Sequence, residues 1–214
     1  MFKSILKILF LLFFLFGTKN LDAIEEKNFA ISTSHPEASK IGRNILKKGG
    51  NAIDAVIAVQ MSLSLVEPES SGIGGGGFLL YYNKKKKQLT FYDGRETAPS
   101  KIRKEFFLDD NGNPLKFFDI AVGGKAIGVP GLISMLEIAH NENGLLKWEN
   151  LFAPSIKLAE NGFKISPKLS KAIKKDRYLY LFPNNKKYFY KNDKPKKIGI
   201  YIKNPDFAKT LKII

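Results

Sequence analysis

Residues 52–65 constrain the fold of this chain more than any other stretch. Read as a helix, the stretch is apolar on nearly every side, and such a helix is normally buried all round. Asn51 can cap its first turn, where the carboxylate of Asp54 complements the helix dipole. Glu67-Pro68-Glu69 ends it. We therefore expect a folded protein whose core surrounds one central helix.

The patterns on both sides of this helix predict a mixture of helices and strands. Residues 29–33 are predicted as a short strand, and Pro36 suits the start of a helix that Gly49-Gly50 ends. Residues 78–82 and 89–92 are predicted as a strand pair joined by a lysine-rich, solvated loop. Further helices are predicted at 132–139, 155–160, from Pro167 after the cap Ser166, and from the cap Asn204 to the end. The last pattern reaches Ile214 without a capping glycine, so we expect an interrupted helix there.

Composition excludes several classes of protein. Hydrophobic residues make up 44% of the 214 residues and charged residues 26%, values typical of a globular protein and not of a disordered one. The absence of cysteine excludes disulfide scaffolds, thiolate zinc sites and a cysteine nucleophile. The formal charge is +15, and among 35 basic residues only those at positions 43, 95, 103 and 177 are arginines.

The amino terminus has the pattern of a secretory signal. Lys3 and Lys7 precede the apolar run 8–16, and Leu21-Asp22-Ala23 follows it. The run is too short for a transmembrane helix of about 20 residues. We predict a signal peptide over 1–23 and a mature chain of 24–214, exported to the periplasm or the cell exterior. An uncleaved membrane anchor and a buried helix are the alternatives.

A glycine run follows the central helix. Gly72, Gly74 and Gly77 spell G-x-G-x-x-G, and Gly75 and Gly76 complete the run. The dinucleotide-binding motif needs a strand before it and a helix after it, and here the order is reversed. Glycines permit positive φ and close approach of backbone to backbone or to a substrate. The run is therefore predicted as a tight structural turn, with a ligand-facing loop as the alternative.

Arg95 is the most informative charged residue. Lysine is the usual base in this chain, so an arginine suggests a need for the planar guanidinium, which grips a carboxylate through two hydrogen bonds. Arg95 follows a predicted strand and the turn Asp93-Gly94, a common place for a binding residue. The residues alone leave two interpretations open: a ligand anchor, and a structural ion pair with Glu96, Asp93 or a remote acid.

Three other features favour structural roles. His35 and His140 lie in no metal-ligand pattern, and the hydroxyls of Thr33 and Ser34 have no evident activating base. Residues 168–203 combine lysines with tyrosines and phenylalanines. That combination occurs on single-strand nucleic-acid and anionic surfaces. A solvated lysine face with inward-turned aromatic rings is the simpler interpretation, because lysine is enriched throughout the chain.

Several of these stretches together resemble the γ-glutamyltranspeptidase family, also called γ-glutamyltransferases or glutathione hydrolases. One match would be weak, but seven in the family's order are specific. The seven are His35-Pro36 with Ala38-Ser39, Gly49-Gly50-Asn51-Ala52-Ile53-Asp54-Ala55, Val66-Glu67-Pro68 with Ser70-Ser71-Gly72-Ile73-Gly74-Gly75-Gly76-Gly77-Phe78, Gly94-Arg95-Glu96-Thr97-Ala98-Pro99, Gly128-Val129-Pro130-Gly131, Leu158-Ala159-Glu160-Asn161-Gly162-Phe163, and Pro205-Asp206-Phe207-Ala208-Lys209-Thr210-Leu211.

The resemblance implies a fold and an activity. The fold is the α/β, four-layer αββα sandwich of the N-terminal-nucleophile hydrolases, and this chain supplies the first portion of its large subunit. Members are precursors that cut themselves into a large and a small subunit. The newly exposed threonine, with its own α-amino group as base, attacks the γ-glutamyl amide of glutathione. Water or an acceptor amino acid or peptide then resolves the acyl-enzyme.

The resemblance also assigns residues and partners. Arg95 is expected to bind the α-carboxylate of the γ-glutamyl group, and Gly72, Gly74, Gly75, Gly76 and Gly77 are expected to form scaffold near the site. No catalytic residue is expected in this chain, because none of its threonines lies in a context like the nucleophile's. Expected partners are γ-glutamyl compounds, their acceptors and a small-subunit segment, with neither cofactor, metal nor nucleic acid. We expect a C-terminally incomplete chain that is inactive alone, or alternatively a glutamate-binding remnant.

Overall fold

A computed structural model describes residues 29–214. The predicted signal over 1–23 lies outside these described residues. Eight α-helices are present in this part of the chain: α1 (Pro36–Lys47), α2 (Ala52–Val66), α3 (Phe117–Ala121), α4 (Leu132–Asn143), α5 (Trp148–Asn161), α6 (Pro167–Lys175), α7 (Pro183–Phe189) and α8 (Pro205–Ile213). The strands are β1 (Phe78–Asn83), β2 (Gln88–Asp93), β3 (Phe163–Lys164), β4 (Tyr190–Lys191), β5 (Lys194–Pro195) and β6 (Tyr201–Ile202). Short 3₁₀ turns cover Lys104–Phe107 and Leu179–Leu181.

Helix α2 is the central helix that the sequence predicts. The Asn51 side chain accepts from the backbone N–H of Ile53 and Asp54, and the Asp54 carboxylate accepts in return from the Asn51 N–H. This capping box satisfies orphan donors of the first turn. Eleven of the fifteen residues of α2 are buried, so the helix is held by packing on most of its circumference.

The buried carboxylate of Asp54 also reaches across the sequence. It accepts hydrogen bonds from the backbone N–H of Leu145 at 3.2 Å and of Leu146 at 3.4 Å, in the connection between α4 and α5. The His140 ring nitrogen lies 3.8 Å from the same carboxylate. A fully buried charge requires such partners, and they attach the start of α2 to the α4–α5 connection.

The core has two clusters. The larger joins α1, α2, α4 and α5 through buried aliphatic side chains and includes Tyr92 of β2. The smaller lies under the last third of the chain, where α6, α7 and α8 pack with the short β3–β6 pair. Helix α2 contributes to both clusters, through Ile57 in the first and Leu65 in the second. The central helix thus connects the two halves of the structure.

Strands β1 and β2 form an antiparallel hairpin with Leu80 opposite Phe91. Its alternation is regular: Leu79 and Tyr92 face the core, while one outer face carries large apolar residues that are each about 60% exposed. The outer face consists of Phe78, Leu80, Tyr82, Leu89 and Phe91. Lysines occupy the loop between the strands, as predicted, and all of them are exposed.

Two predicted elements are wrong in type or extent. Residues 29–33 form no strand, because within the described residues no second strand pairs with them and a strand needs a hydrogen-bonded partner. Helix α5 begins at Trp148, seven residues before the predicted start, and contains Pro154. Burial of Leu151 and Phe152 in the core stabilises these first turns against the loss that the proline causes.

Candidate functional site

The glycine loop between α2 and β1 joins three segments of backbone. The Gly75 carbonyl accepts from the N–H of Gly131 and of Leu132, each at 3.2 Å, at the start of α4. Gly77 and Gly94 exchange two hydrogen bonds at 3.0 and 3.2 Å, which extend the β1–β2 ladder by one pair. The loop therefore fixes where β2 ends relative to α4.

Only part of the glycine run is sterically required. A Cβ on Gly76 would lie 2.5 Å from the Gly94 carbonyl oxygen and 2.8 Å from the Glu96 nitrogen, so no larger residue fits without a backbone shift. Gly72 and Gly74 have nothing within 4 Å of a built Cβ. None of the glycines from 72 to 77 has positive φ, so the conformational freedom expected from the sequence is not used. Close backbone approach, at Gly76, is the property that matters.

Arg95 follows the end of β2, with its backbone held by a hydrogen bond and its side chain in solvent. Its N–H donates to the Asp93 carboxylate at 2.9 Å, and a Cβ on neighbouring Gly94 would lie 2.6 Å from the Met135 Cβ. The Arg95 side chain is 71% exposed, and its Nε lies 3.4 Å from Glu96 Oε2. The structure thus contains the contact to Glu96 that one interpretation expected, and it leaves the guanidinium open to ligand as the other requires.

The position of β2 is reinforced from the core side. The Tyr92 hydroxyl donates to the Glu142 carboxylate at 2.6 Å and accepts from the Asn143 side chain at 2.9 Å, both at the end of α4. Burial and the Glu142 carboxylate raise the pKa of Tyr92 to about 12. The hydroxyl therefore remains a donor at any physiological pH, and it holds the strand three residues before Arg95.

A cleft of about 390 Å³ lies between α2, the glycine loop and α4. Its wall is partly apolar and partly polar, with the Glu96 carboxylate on one side and Gln60 donating to the Ser71 hydroxyl at 2.6 Å on the other. Arg95 adjoins the cleft through Glu96 but does not line it. The lining residues are Val56, Gln60, Ser70, Ser71, Gly72, Gly75, Gly76, Gly77, Phe78, Leu79, Glu96, Leu132, Met135 and Leu136.

A second polar cluster lies at the other end of α2 and was missed by the sequence analysis. The buried Glu67 carboxylate accepts from Lys168 Nζ at 2.6 Å and from the Ser34 hydroxyl at 2.7 Å. Burial raises the pKa of Glu67, but the hydrogen bonds from Lys168 and Ser34 outweigh it and leave that pKa below its usual value. Lys168 is 101 residues away, so no local pattern indicates the pair.

His35 lies in the same region and caps a helix. Its Nδ1 accepts from the Glu37 N–H at 3.2 Å and caps α1. Burial lowers the pKa of His35 despite the opposing carboxylate of Glu67, so the ring is neutral at pH 7. Neutral Nδ1 is the form that can accept this bond. Within residues 29–214, no three His, Asp or Glu side chains come close enough together to hold a metal ion.

The lysine-rich stretch 168–203 is partly occupied by internal contacts. Phe189 is buried in the smaller core cluster. Lys186 pairs with Asp193 at 2.7 Å and lies 4.3 Å from the centre of the Tyr180 ring. These contacts favour the solvated-face interpretation for this part of the stretch. In the described part of the chain, no helix is both long and apolar enough to cross a membrane.

The fold and the site together define a class: an α+β protein in which a glycine loop lines a cleft and an exposed arginine at a strand end lies beside it. The family model described as Gamma-glutamyltranspeptidase matches residues 38–214, and the chain belongs to that family. The family predicted from the seven sequence motifs is confirmed.

Relatives and solved structures agree with this assignment. A glutathione hydrolase proenzyme of Bacillus subtilis is 44% identical over 188 residues, which are 88% of this chain and 32% of that protein. The crystal structure of Helicobacter pylori gamma-glutamyltranspeptidase matches with a TM-score of 0.79 and 38% identity, over 87% of this chain and 54% of the other. The Pseudomonas nitroreducens enzyme complexed with L-DON matches with a TM-score of 0.77 and 35% identity, over the same shares of the two chains.

These neighbours settle the fold class and the extent of the match. They are N-terminal-nucleophile hydrolases, and the mixed helices and strands of this chain superpose on them, so the predicted fold class is confirmed. The chain spans about a third of the length of the curated relatives it matches.

Proposed function

We propose that this protein takes part in the hydrolysis of glutathione and the transfer of γ-glutamyl groups to amino acids or peptides. Family membership supports the proposal, as do relatives named glutathione hydrolase. Because the chain spans 32% of such a relative, the activity belongs to a larger assembly. In that assembly this chain supplies Arg95 to the substrate site.

One observation carries the role of Arg95 in this proposal. Its guanidinium is 71% exposed beside the cleft and has a single acidic contact among the described residues. A guanidinium carries five N–H donors in a rigid fork, so one contact leaves donors for a bidentate bond to a carboxylate. The α-carboxylate of a γ-glutamyl group is the ligand that we assign to it.

The attacking hydroxyl comes from a threonine outside these 214 residues. Two hydroxyls in the described part already donate to backbone carbonyls, Thr33 to His35 and Thr210 to Asp206. In the proposed reaction the external threonine adds to the γ-amide carbonyl and expels the amine, with its own α-amino group moving the proton. Water or an acceptor amine then cleaves the ester. Arg95 holds the substrate headgroup during both steps.

Release of a chromophore from a γ-glutamyl anilide by the full-length protein tests the function. Arg95→Ala should raise the KM for the anilide about 10- to 100-fold, the factor expected for roughly 1.4–2.8 kcal/mol of a charge-assisted pair. Arg95→Lys should recover only part of this, because an ammonium has no fork. Arg103→Ala, at an exposed arginine of the following loop, is the control. An unchanged KM in Arg95→Ala would remove the anchor role.

We propose export as the cellular context of this activity. The support is the charged start, the short apolar run over 8–16 and the small residue Ala23 at its exit. Under this proposal the mature chain begins near residue 24, and contact with the membrane is confined to an uncleaved amino-terminal segment.

A further inference from the structure

The carboxylate of Glu96 lies close to the backbone of the glycine loop. A Cβ on Gly76 would lie 2.5 Å from Glu96 Oε2, and a Cβ on Gly75 would lie 3.3 Å from Oε1. Both oxygens therefore face loop backbone that carries no side chain. The Glu96 side chain is 35% exposed and lines the cleft. Close packing against the loop restricts where this carboxylate can go.

The same carboxylate faces one edge of the Arg95 guanidinium. Glu96 Oε2 lies 3.4 Å from Nε, and no other acid of residues 29–214 forms an ion pair with this arginine. The planar group can bind a carboxylate through Nε with one terminal nitrogen, or through its two terminal nitrogens. With Nε next to Glu96 Oε2, the two terminal nitrogens are the pair left free.

We propose that Glu96 is a positioning residue that orients the Arg95 guanidinium for its ligand. The glycine loop limits the space open to the Glu96 carboxylate, the carboxylate attracts Nε, and the two terminal nitrogens are left for the amino-acid α-carboxylate. This inference rests on the proposed function, because it needs Arg95 to be the anchor. It gives the close approach at Gly76 a role in substrate binding as well as in folding.

The expected effect is on substrate affinity and is modest. An exposed ion pair contributes a factor of about three to five, and loss of orientation acts on ground-state binding, which changes KM and not kcat. In the full-length protein, Glu96→Gln should raise the KM for a γ-glutamyl anilide about threefold to fivefold, with kcat within about twofold. Glu105→Gln, at an exposed acid nine residues on, should change neither constant.

A double variant separates positioning from a direct or structural role. In the Arg95→Ala background, Glu96→Gln should have no further effect on KM, because the group that it orients is gone. Glu96→Asp keeps the charge but withdraws the carboxylate by one methylene, so it should raise KM as the glutamine variant does. It also serves as the test if Glu96→Gln does not fold.

Two results would overturn the role of Glu96 alone. One is an unchanged KM in Glu96→Gln and Glu96→Asp while Arg95→Ala raises it. The other is an equal effect of Glu96→Gln in both backgrounds, which would show that the carboxylate acts without Arg95. An unchanged KM in Arg95→Ala is a different outcome, because it refutes the proposed function and this inference with it.

Discussion

Replacing Gly76 with alanine places a methyl group where backbone already lies. The new Cβ would be 2.5 Å from the Gly94 carbonyl oxygen and 2.8 Å from the Glu96 nitrogen. Neither atom can rotate away as a side chain could, so the loop and the end of β2 must separate. Overpacking of this kind costs about 1–3 kcal/mol. The shift also strains the paired hydrogen bonds between Gly77 and Gly94.

Gly74→Ala is the matched control within the same loop. A Cβ on Gly74 meets nothing within 4 Å, and its φ is not positive. Alanine there restricts the unfolded chain without straining the folded one, which is worth about 0.4–1 kcal/mol of added stability. Both variants add one methyl group within the same glycine run. The difference between their unfolding free energies therefore measures the effect of the close backbone contact at Gly76.

Urea unfolding followed by circular dichroism measures both effects. With a dependence on urea of about 2 kcal/mol per molar, Gly76→Ala should lower the midpoint by about 0.5–1.5 M. Gly74→Ala should leave the midpoint unchanged or raise it slightly. Equal losses in the two variants, or a larger loss in Gly74→Ala, would refute the argument that the contact at Gly76 fixes the loop.

Two further predictions concern buried polar groups. Asp54→Asn replaces a carboxylate that accepts several N–H bonds with an amide that is half donor, so we expect the free energy of unfolding in urea to fall by about 2–3 kcal/mol. Asp110→Asn, at an exposed acid, is the control and should change it by no more than about 0.5 kcal/mol. A similar loss in both variants would contradict the structural role of the Asp54 hydrogen bonds. His35 concerns pH: its pKa is lowered in the folded state, so the unfolded chain binds the proton first and stability falls as pH drops below about 6.5. His35→Asn keeps a capping side chain but does not titrate, so its unfolding midpoint should fall less between pH 7.5 and pH 5.5, and an undiminished fall would assign that dependence to other groups.

Local signals made most of the secondary structure predictable. Short stretches of sequence predict the cap at Asn51, the end of α1 near Gly49-Gly50 and the apolar helix α2. The structure contains all three. The hairpin was predictable from two short apolar runs on either side of a lysine-rich loop. The start of α5 did not, because Lys147 offers no side-chain cap and burial of Leu151 and Phe152 decides the first turns. Tertiary packing overrode the local pattern there.

The candidate site was predictable in its residue types but not in its arrangement. The rarity of arginine indicates a special role for Arg95, and the density of glycines indicates a closely packed loop. No local pattern predicts that the loop packs on Glu96. Nor does one predict that the Gly75 carbonyl accepts from the Gly131 N–H, 56 residues away, because both contacts depend on the path of the chain. The ion pair between Glu67 and Lys168 was missed for the same reason.

The carboxylate at the start of α2 imposes an order on the folding of the core. Its partners at Leu145 and Leu146 leave the ribosome about ninety residues after it. Until they arrive, the most apolar of the described helices has a carboxylate in its first turn that lacks two of its backbone donors. Folding of this core can therefore be completed only when the α4–α5 connection is available to α2.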